Sequence, residues 1–465
     1  MKFANIRHIH FTGIGGIGMS GIAEILLNQG FAVSGSDLSS TDITQRLASL
    51  GATIYAGHVP EHVAGADVLV YSSAVALDNP EIVEAQRRKI PCIRRAEMLA
   101  EVMRLHYGIA VAGTHGKTTT TSMLGLVLIH AGQDPTVIVG GKLHAFGGTN
   151  ARLGKGEFMV VEADEFDRSF LQLNPVIAVL TTLEEEHLDI YANLEDLQQA
   201  FVEFAGKVPF YGFVTLCLDE PALQEILPRI ARKVITYGMS PQADYQVIDV
   251  SQQENRTSFT VLHNGDELGR MTLGVPGEHN VRNAMAAVVV SLQLGVAFET
   301  IAEALGTFTG AFRRFEVKAE VGGVMVIDDY AHHPTEVRET LRGIKAGWKR
   351  RVVCVFQPHT YTRTRDFYRD FGRSFMHADV LMITDIYPAR EKPIQGITGG
   401  LIAEAARMFG HRDVHFVADK TAVPAALAEI VREGDIVITM GAGDIYRYGA
   451  QFIDHLRATQ TEETR

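Results

Sequence analysis

Residues 113–119 read Gly113-Thr114-His115-Gly116-Lys117-Thr118-Thr119. Glycines let backbone N–H groups close around oxyanions, a lysine neutralises β- and γ-phosphates, and a threonine hydroxyl reaches Mg²⁺, so the pattern reads as an ATP-phosphate loop. A general P-loop has glycine where this chain has Val111, which makes this loop a shortened variant. Two acidic runs follow predicted strands: Glu162-Ala163-Asp164-Glu165 and Glu184-Glu185-Glu186-His187-Leu188-Asp189. Carboxylates at the C-terminal edge of a sheet lie where α/β folds bind ligands. Beside a phosphate loop, Glu162 and Thr118 supply the oxygen ligands that Mg²⁺ prefers. His187 is a less usual Mg²⁺ ligand and leaves Mn²⁺, or a second site, as an alternative.

A second glycine loop comes earlier. Gly13-Ile14-Gly15-Gly16-Ile17-Gly18 fits G-x-G-x-x-G between a predicted strand and a predicted helix. That context brings a diphosphate to the N–H groups at a helix start. Asp37, about twenty residues on, is placed to accept from a ribose hydroxyl. By itself the motif suggests a nicotinamide-dependent oxidoreductase, but it specifies a diphosphate and not the nucleoside attached to it.

The elements that must position these loops form three α/β segments. In the first, strand-like runs at Ile6–Thr12, Phe31–Ser34 and Ala66–Tyr71 alternate with a helical pattern over Met19–Gln29. The second has strands at Ile109–Ala112, Phe158–Glu162, Val176–Thr181 and Val214–Leu218, a helix after the phosphate loop running through Ile129, and one at Asn280–Leu294. Between Tyr245 and Leu273 the alternation predicts an antiparallel hairpin turning at Asn264-Gly265. The third has strands at Val324–Ile327, Val352–Phe356, Val380–Thr384 and Asp435–Thr439. Strands alternating with helices predict parallel sheets, with boundaries near residues 105 and 310.

Composition narrows the class. The chain has 465 residues, 46% apolar and 21% charged, which suits a compact multidomain enzyme. A net charge of −12 without a basic block argues against nucleic-acid binding. Cys92, Cys217 and Cys354 form neither a metal-spaced pair nor a disulfide framework, which points to a reducing cytoplasm. Arg7, His8 and His10 interrupt the first apolar run and argue against a signal peptide. The most apolar stretch, Met285–Phe298, carries Ser291 and Gln293 and reads as a buried helix instead of a membrane insertion.

Further motifs complete a pattern: Pro276-Gly-Glu-His279-Asn280-Val-Arg-Asn283, Arg313-Arg314-Phe315-Glu316, Asp328-Asp329-Tyr330-Ala-His332-His333-Pro334, Gln357-Pro-His359 with Tyr361-Thr-Arg363, and Gly441-Ala-Gly443-Asp444-Ile445. Together with both glycine loops and the acidic runs, these resemble the Mur ligases of bacterial cell-wall synthesis over nearly the whole chain. The resemblance implies an α/β protein of three domains. They are an N-terminal Rossmann-like domain for a UDP-sugar (1–105), a central P-loop ATPase-like mixed sheet for ATP (106–309), and a C-terminal Rossmann-like domain for an amino acid (310–465). It also implies an amide-forming ligase whose substrates are UDP-N-acetylmuramate and L-alanine, working through an acyl phosphate.

Residue by residue, the resemblance assigns the UDP-sugar to Gly13, Gly15, Gly16, Ile17, Gly18, Asp37, His58 and Ser72. It assigns ATP to Gly113 through Thr119, Asn280, Asn283, Arg314 and Asp329, and the metal to Thr118, Glu162 and His187. Tyr330, His332 and Arg363 match positions around the amino acid, Arg363 being suited to grip its carboxylate bidentately. Lys117, His187, Arg314, His332 and Arg363 are the implied catalytic group.

This chain departs from the family pattern at Glu186, where aspartate is common, and at Thr360, where some relatives carry arginine. Sister ligases have a carbamylated lysine shortly after the His-x-Asp; no lysine lies between Asp189 and Gly206, so no such modification is expected. A peptide-recycling ligase acting on the same UDP-sugar is the alternative within the family. Outside it, an oxidoreductase leaves Lys117 and Thr118 unexplained, and a nucleotide-switched binding protein leaves Tyr330, His332 and Arg363 without a task. A monomer and a homodimer are equally compatible with the sequence.

Overall fold

The computed structural model describes residues 5–72, 74–143, 149–186, 190–389 and 391–463. The fold is a three-domain α/β arrangement built on three sheets.

The N-terminal sheet contains β1 (His8–Thr12), β2 (Ala32–Asp37), β3 (Thr53–Ala56), β4 (Val68–Tyr71) and β5 (Cys92–Arg94), all parallel, in the order β3-β2-β1-β4-β5. The order reverses at β1, so the loop leaving β1 opens at the topological switch point, where α/β sheets bind ligands.

The central sheet has ten strands: β6 (Tyr107–Ala112), β7 (Thr136–Leu143), β8 (Thr149–Arg152), β9 (Phe158–Glu162), β10 (Ile177–Leu180), β11 (Phe213–Cys217), β12 (Val234–Gly238), β13 (Tyr245–Gln253), β14 (Arg256–His263) and β15 (Asp266–Leu273). Their order is β15-β14-β13-β12-β11-β10-β6-β9-β7-β8. β6 lies between β9 and β10 and runs parallel to both. Its loop, 113–116, therefore leaves a switch strand just as the loop after β1 does.

β6, β10 and β11 are buried almost throughout, which is why they read as continuous apolar runs. The predicted hairpin is instead a three-stranded meander. Asn264 and Gly265, at φ +51 and +90, make the turn expected between β14 and β15. A second turn joins β13 to β14, with Glu254 at φ +50. It contains no glycine to announce it.

The C-terminal sheet comprises β16 (Glu316–Val321), β17 (Val324–Asp329), β18 (Val352–Phe356), β19 (Val380–Ile383), β20 (Val414–Phe416) and β21 (Ile436–Met440), in the order β16-β17-β21-β18-β19-β20. Only β16 is antiparallel to its neighbour. Both faces are covered by apolar side chains, including Ile327, Phe356 and Ile438 on one side and Val326, Val355 and Phe452 on the other.

By internal contacts the chain forms two compact units. One comprises Met1–Ile248, Thr260–Met271 and Arg282–Thr307; the other comprises Asp249–Phe259, Thr272–Val281 and Phe308–Arg465. The apolar stretch from Met285 lies in the helix Glu278–Gln293, where Ala284 through Val290 are fully buried. Among the described residues no helix is long and apolar enough to cross a membrane.

Candidate active site

β6 delivers its loop onto the helix Lys117–His130, whose first residue is Lys117. Gly116 adopts φ +82, and a side chain there would collide with Asn283 Oδ1, so glycine is required on both counts. The loop is fastened to the end of β10. The N–H of Thr114 donates to the Thr182 carbonyl at 3.1 Å, and that of His115 to Thr182 Oγ1 at 2.7 Å. Thr119 and Thr120 are buried behind it, and Thr120 Oγ1 donates to Asn283 Oδ1 at 3.4 Å.

Lys117 folds back over this loop. Its ammonium donates to the Gly113 carbonyl at 2.6 Å and to both oxygens of Glu165 at 2.9 and 2.8 Å. Burial works against the ammonium, but the carboxylates of Glu165, Asp164, Glu186 and Glu162 outweigh it and raise its pKa. Burial pushes the Glu165 carboxyl up, with the Lys117 charge opposing. Glu165 is thus a member of the site to which sequence reasoning assigned no role. Its spacing from Glu162, three residues past a strand end, was the signal available.

Thr118 and Glu162, 44 residues apart in the sequence, meet here. Thr118 Oγ1 donates to Glu162 Oε2 at 2.9 Å, and the Gly140 N–H donates to the same oxygen at 2.7 Å. A hydroxyl beside a carboxylate is a hard, all-oxygen donor pair that fits Mg²⁺. The third expected ligand, His187, lies outside the described residues.

Next to this pair opens a cleft lined by Gly18, Arg95, Gly140, Glu162, Asp164 and Ser169 among others. Gly18, at the end of the first glycine loop, and Glu162, the partner of Thr118, therefore line one cleft. The contact is secured by Asn150, whose side-chain amide donates to the Ile17 carbonyl. Arg95 lies against Gly18, close enough that any side chain at 18 would displace it. Sequence reasoning passed over Arg95, which has no motif signal of its own.

In the first glycine loop Gly13 takes φ +81, with Ser72 Oγ beside it. The N–H groups of Gly13 and Ile14 donate to the Ser36 carbonyl at 2.8 and 3.0 Å, and that of Gly16 to the Gly13 carbonyl at 3.2 Å. Asp37 Oδ2 accepts from the Gly15 N–H at 2.9 Å and Oδ1 from the Ser39 N–H at 3.2 Å. The carboxylate expected to meet a ribose is here bound to the loop's own backbone. His58 Nδ1 lies 2.8 Å from Ser36 Oγ.

The second unit gathers a separate group. Asp329, at the end of β17, accepts from the N–H groups of Phe315 and Ala331, each at 2.7 Å. Burial pushes its carboxyl up to about 6, against the pull of Arg314 and those two donors. Arg314 bonds Glu336 at 3.2 Å and lies 5.1 Å from the centre of the Tyr330 ring.

Tyr330 meets His332 edge-on at 5.2 Å, and His332 in turn meets His359 at 6.0 Å. His332 Nδ1 lies 3.0 Å from the Tyr330 carbonyl and 3.2 Å from Glu336. Burial, then the neighbouring His332 and Arg363, push the His359 imidazole down to about 3. It is therefore neutral near pH 7, and its Nδ1 accepts from Arg363 Nη1 at 3.3 Å.

Thr360, where some relatives carry arginine, starts the helix Tyr361–Ser374 at φ +65, its hydroxyl accepting from the Arg363 N–H. Asn280 and Asn283 share a face of the helix Glu278–Gln293. The Asn280 amide donates to the Pro276 carbonyl at 2.7 Å.

Three family models match successive parts of the chain: "Mur ligase family, catalytic domain" over residues 8–107, "Mur ligase middle domain" over 111–291, and "Mur ligase, glutamate ligase domain" over 313–443. The UDP-N-acetylmuramate–L-alanine ligase of Syntrophotalea carbinolica is 53% identical, spanning 98% of this chain and 99% of that protein. The corresponding ligase of Salinibacter ruber is 54% identical over 97% of this chain and 95% of its own length. Among solved structures, the UDP-N-acetylmuramate-alanine ligase of Thermotoga maritima matches with a TM-score of 0.82 at 29% identity, covering 98% of this chain and 100% of that one. The chain belongs to the Mur ligase family.

Proposed function

We propose that this chain joins L-alanine to the lactyl carboxylate of UDP-N-acetylmuramate while ATP is converted to ADP and phosphate, the first peptide step of peptidoglycan precursor synthesis. The carrying observation is the shared cleft, lined by Gly18 at the end of a diphosphate-type glycine loop and by Glu162, which pairs with Thr118. Such a cleft suits a nucleotide-sugar whose carboxylate must reach a terminal phosphate. The choice of sugar and amino acid follows relatives of that name, alike over nearly their full length. The domains are taken as 1–105, 106–309 and 310–465, and the setting as cytoplasmic.

The lactyl carboxylate oxygen attacks the γ-phosphorus of ATP, and the bond to ADP breaks, giving an acyl phosphate. The free amine of L-alanine then attacks the acyl carbon, phosphate leaves with the C–O bonding pair, and the amine's extra proton passes to a base. Lys117 exchanges Glu165 for phosphate oxygens, and its charge offsets the negative charge on the transferring group. Thr118 and Glu162 would hold Mg²⁺, which supplies Lewis-acid neutralisation of phosphate charge when bound. His187 is the remaining candidate ligand. Arg363 grips the alanine carboxylate, with its guanidinium steadied by neutral His359, and Tyr330 and His332 border the small side chain. Arg314 and Asp329 are assigned to the ATP side, as are Asn280 and Asn283.

The test is phosphate release from ATP with each substrate omitted in turn. Release that continues without UDP-N-acetylmuramate or without L-alanine refutes the reading. Preference for a tripeptide over L-alanine in competition would replace it with the recycling ligase.

A further inference from the structure

Directly behind the first glycine loop lies a carboxylate that no part of the proposed reaction uses. Glu81 is fully buried, near the start of the helix Pro80–Arg87. Its Oε2 accepts from Ser36 Oγ at 2.6 Å and Thr12 Oγ1 at 2.8 Å, and lies 3.3 Å from His10 Nε2 and 3.6 Å from His58 Nδ1. Oε1 lies 2.8 Å from His62 Nδ1. Burial alone would push the carboxyl up, yet His10, Ser36, His62 and Thr12 outweigh it and hold it at about 2.

The identity of these partners gives the cluster its direction. Thr12 ends β1 and is followed by Gly13. Ser36 uses its hydroxyl on Glu81 and its carbonyl on the N–H groups of Gly13 and Ile14. Asp37, the next residue, receives the Gly15 N–H. The loop's first three N–H groups are thus anchored, through Ser36 and its neighbour, to strand ends that Glu81 ties together. What remains for a ligand are the helix-start N–H groups of Ile17 and Gly18. A buried charge kept only for stability would be replaceable by apolar packing at little cost; the convergence of its donors on one loop argues for a task.

We propose that Glu81 is a positioning residue for the nucleotide-sugar: from behind the loop it fixes, through Ser36 and Thr12, the direction of the N–H groups that receive the diphosphate. This rests on the assignment of that loop to the UDP-sugar.

The experiment compares wild type, Glu81→Gln and, as a gentler cut in the same chain of bonds, Ser36→Ala, all as full-length protein. Titration calorimetry gives the affinity for UDP-N-acetylmuramate, and steady-state kinetics gives KM for each substrate and kcat. Glu81→Gln is expected to weaken sugar-nucleotide affinity by about tenfold or more, as displaced binding groups do, with KM for ATP and L-alanine within about twofold. Ser36→Ala should fall between the two and serves alone if Glu81→Gln does not fold. Unchanged sugar-nucleotide affinity in the folded variants overturns the proposal, as does a parallel rise of all three KM values together with a fall in melting temperature. Failure of wild type itself to bind the sugar nucleotide would instead sink the functional reading.

Discussion

Two loops in one compact unit start from the same plan and treat charge in opposite ways. Each leaves a central parallel strand at a switch point, turns on glycines and starts a helix. The loop after β6 puts its charges at the ligand surface: Lys117 lies over the loop, paired with Glu165, and Glu162 faces the cleft. The loop after β1 offers backbone donors and keeps its ionised Glu81 buried behind them among three histidines and two hydroxyls. A phosphoryl group in transfer gains charge density that side chains must answer, whereas a diphosphate that is only held needs fixed N–H groups. Damage to the first loop should therefore appear in affinity, and damage to the second in turnover.

The largest effect should come from Lys117→Ala. Loss of the ammonium should lower kcat by at least about a thousandfold, ~4 kcal/mol, while calorimetric affinity for UDP-N-acetylmuramate stays within about twofold. Equal loss of both would erase the distinction between the loops.

Glu165→Gln should act next most strongly, and on stability. It leaves the Lys117 ammonium buried beside an amide, so the ligand-free protein should lose about 3 kcal/mol against chemical denaturant. Nucleotide supplies the missing negative charge. The gain in melting temperature on adding MgATP should accordingly exceed that of wild type, and an equal gain would show that Lys117 does not move from Glu165 to phosphate.

How far the sequence announced this contrast depended on what kind of signal each residue carried. Glycine spacing and the Lys117-Thr118 pair are local, and β6 and β18 are continuous apolar runs because both their faces are covered; all were legible. The short strands β3, β5 and β20 are half exposed and carry no periodic pattern, so nothing in the residues marked them. The buried carboxylates were hidden for another reason. Glu81 follows Asn79-Pro80 and reads as an ordinary helix start, because its partners Thr12 and Ser36 lie 69 and 45 residues away. Glu165 stood inside a recognised acidic run, but only the folded chain shows it holding Lys117. Asp37 was legible as a position, but its bond to the Gly15 N–H appears only in the folded chain.

The buried charge behind the β1 loop also predicts a pH dependence. The folded-state pKa of Glu81 is depressed, so its contribution is fully present above the unfolded value near 4.5 and is lost as pH falls from there through about 2. The full shift corresponds to about 3 kcal/mol. Denaturation of wild type should steepen over this acid window relative to Glu81→Gln, which cannot titrate there. Parallel stability curves for the two proteins would mean that the carboxylate is not held ionised.

The smallest change tests whether the β1 loop truly keeps charge away from its ligand. Asp37 is a carboxylate that touches this loop directly, through the Gly15 N–H, while its other oxygen accepts from the Ser39 N–H. Asparagine at 37 keeps one oxygen for the Gly15 N–H but turns an NH₂ toward the second donor, costing about one net hydrogen bond, on the order of 1 kcal/mol. Removing the negative charge also relieves its repulsion of a diphosphate, which partly offsets that cost. The net change in affinity for UDP-N-acetylmuramate should thus be about threefold or less. A carboxylate that instead accepts from a ribose hydroxyl would make the same substitution cost a charge-assisted bond, about 1.5–3 kcal/mol. Comparing Asp37→Asn on UDP-N-acetylmuramate and on a 2′,3′-dideoxyuridine analogue separates the cases. If the variant's loss disappears on the dideoxy analogue, Asp37 serves the ribose; if it persists, Asp37 serves the loop.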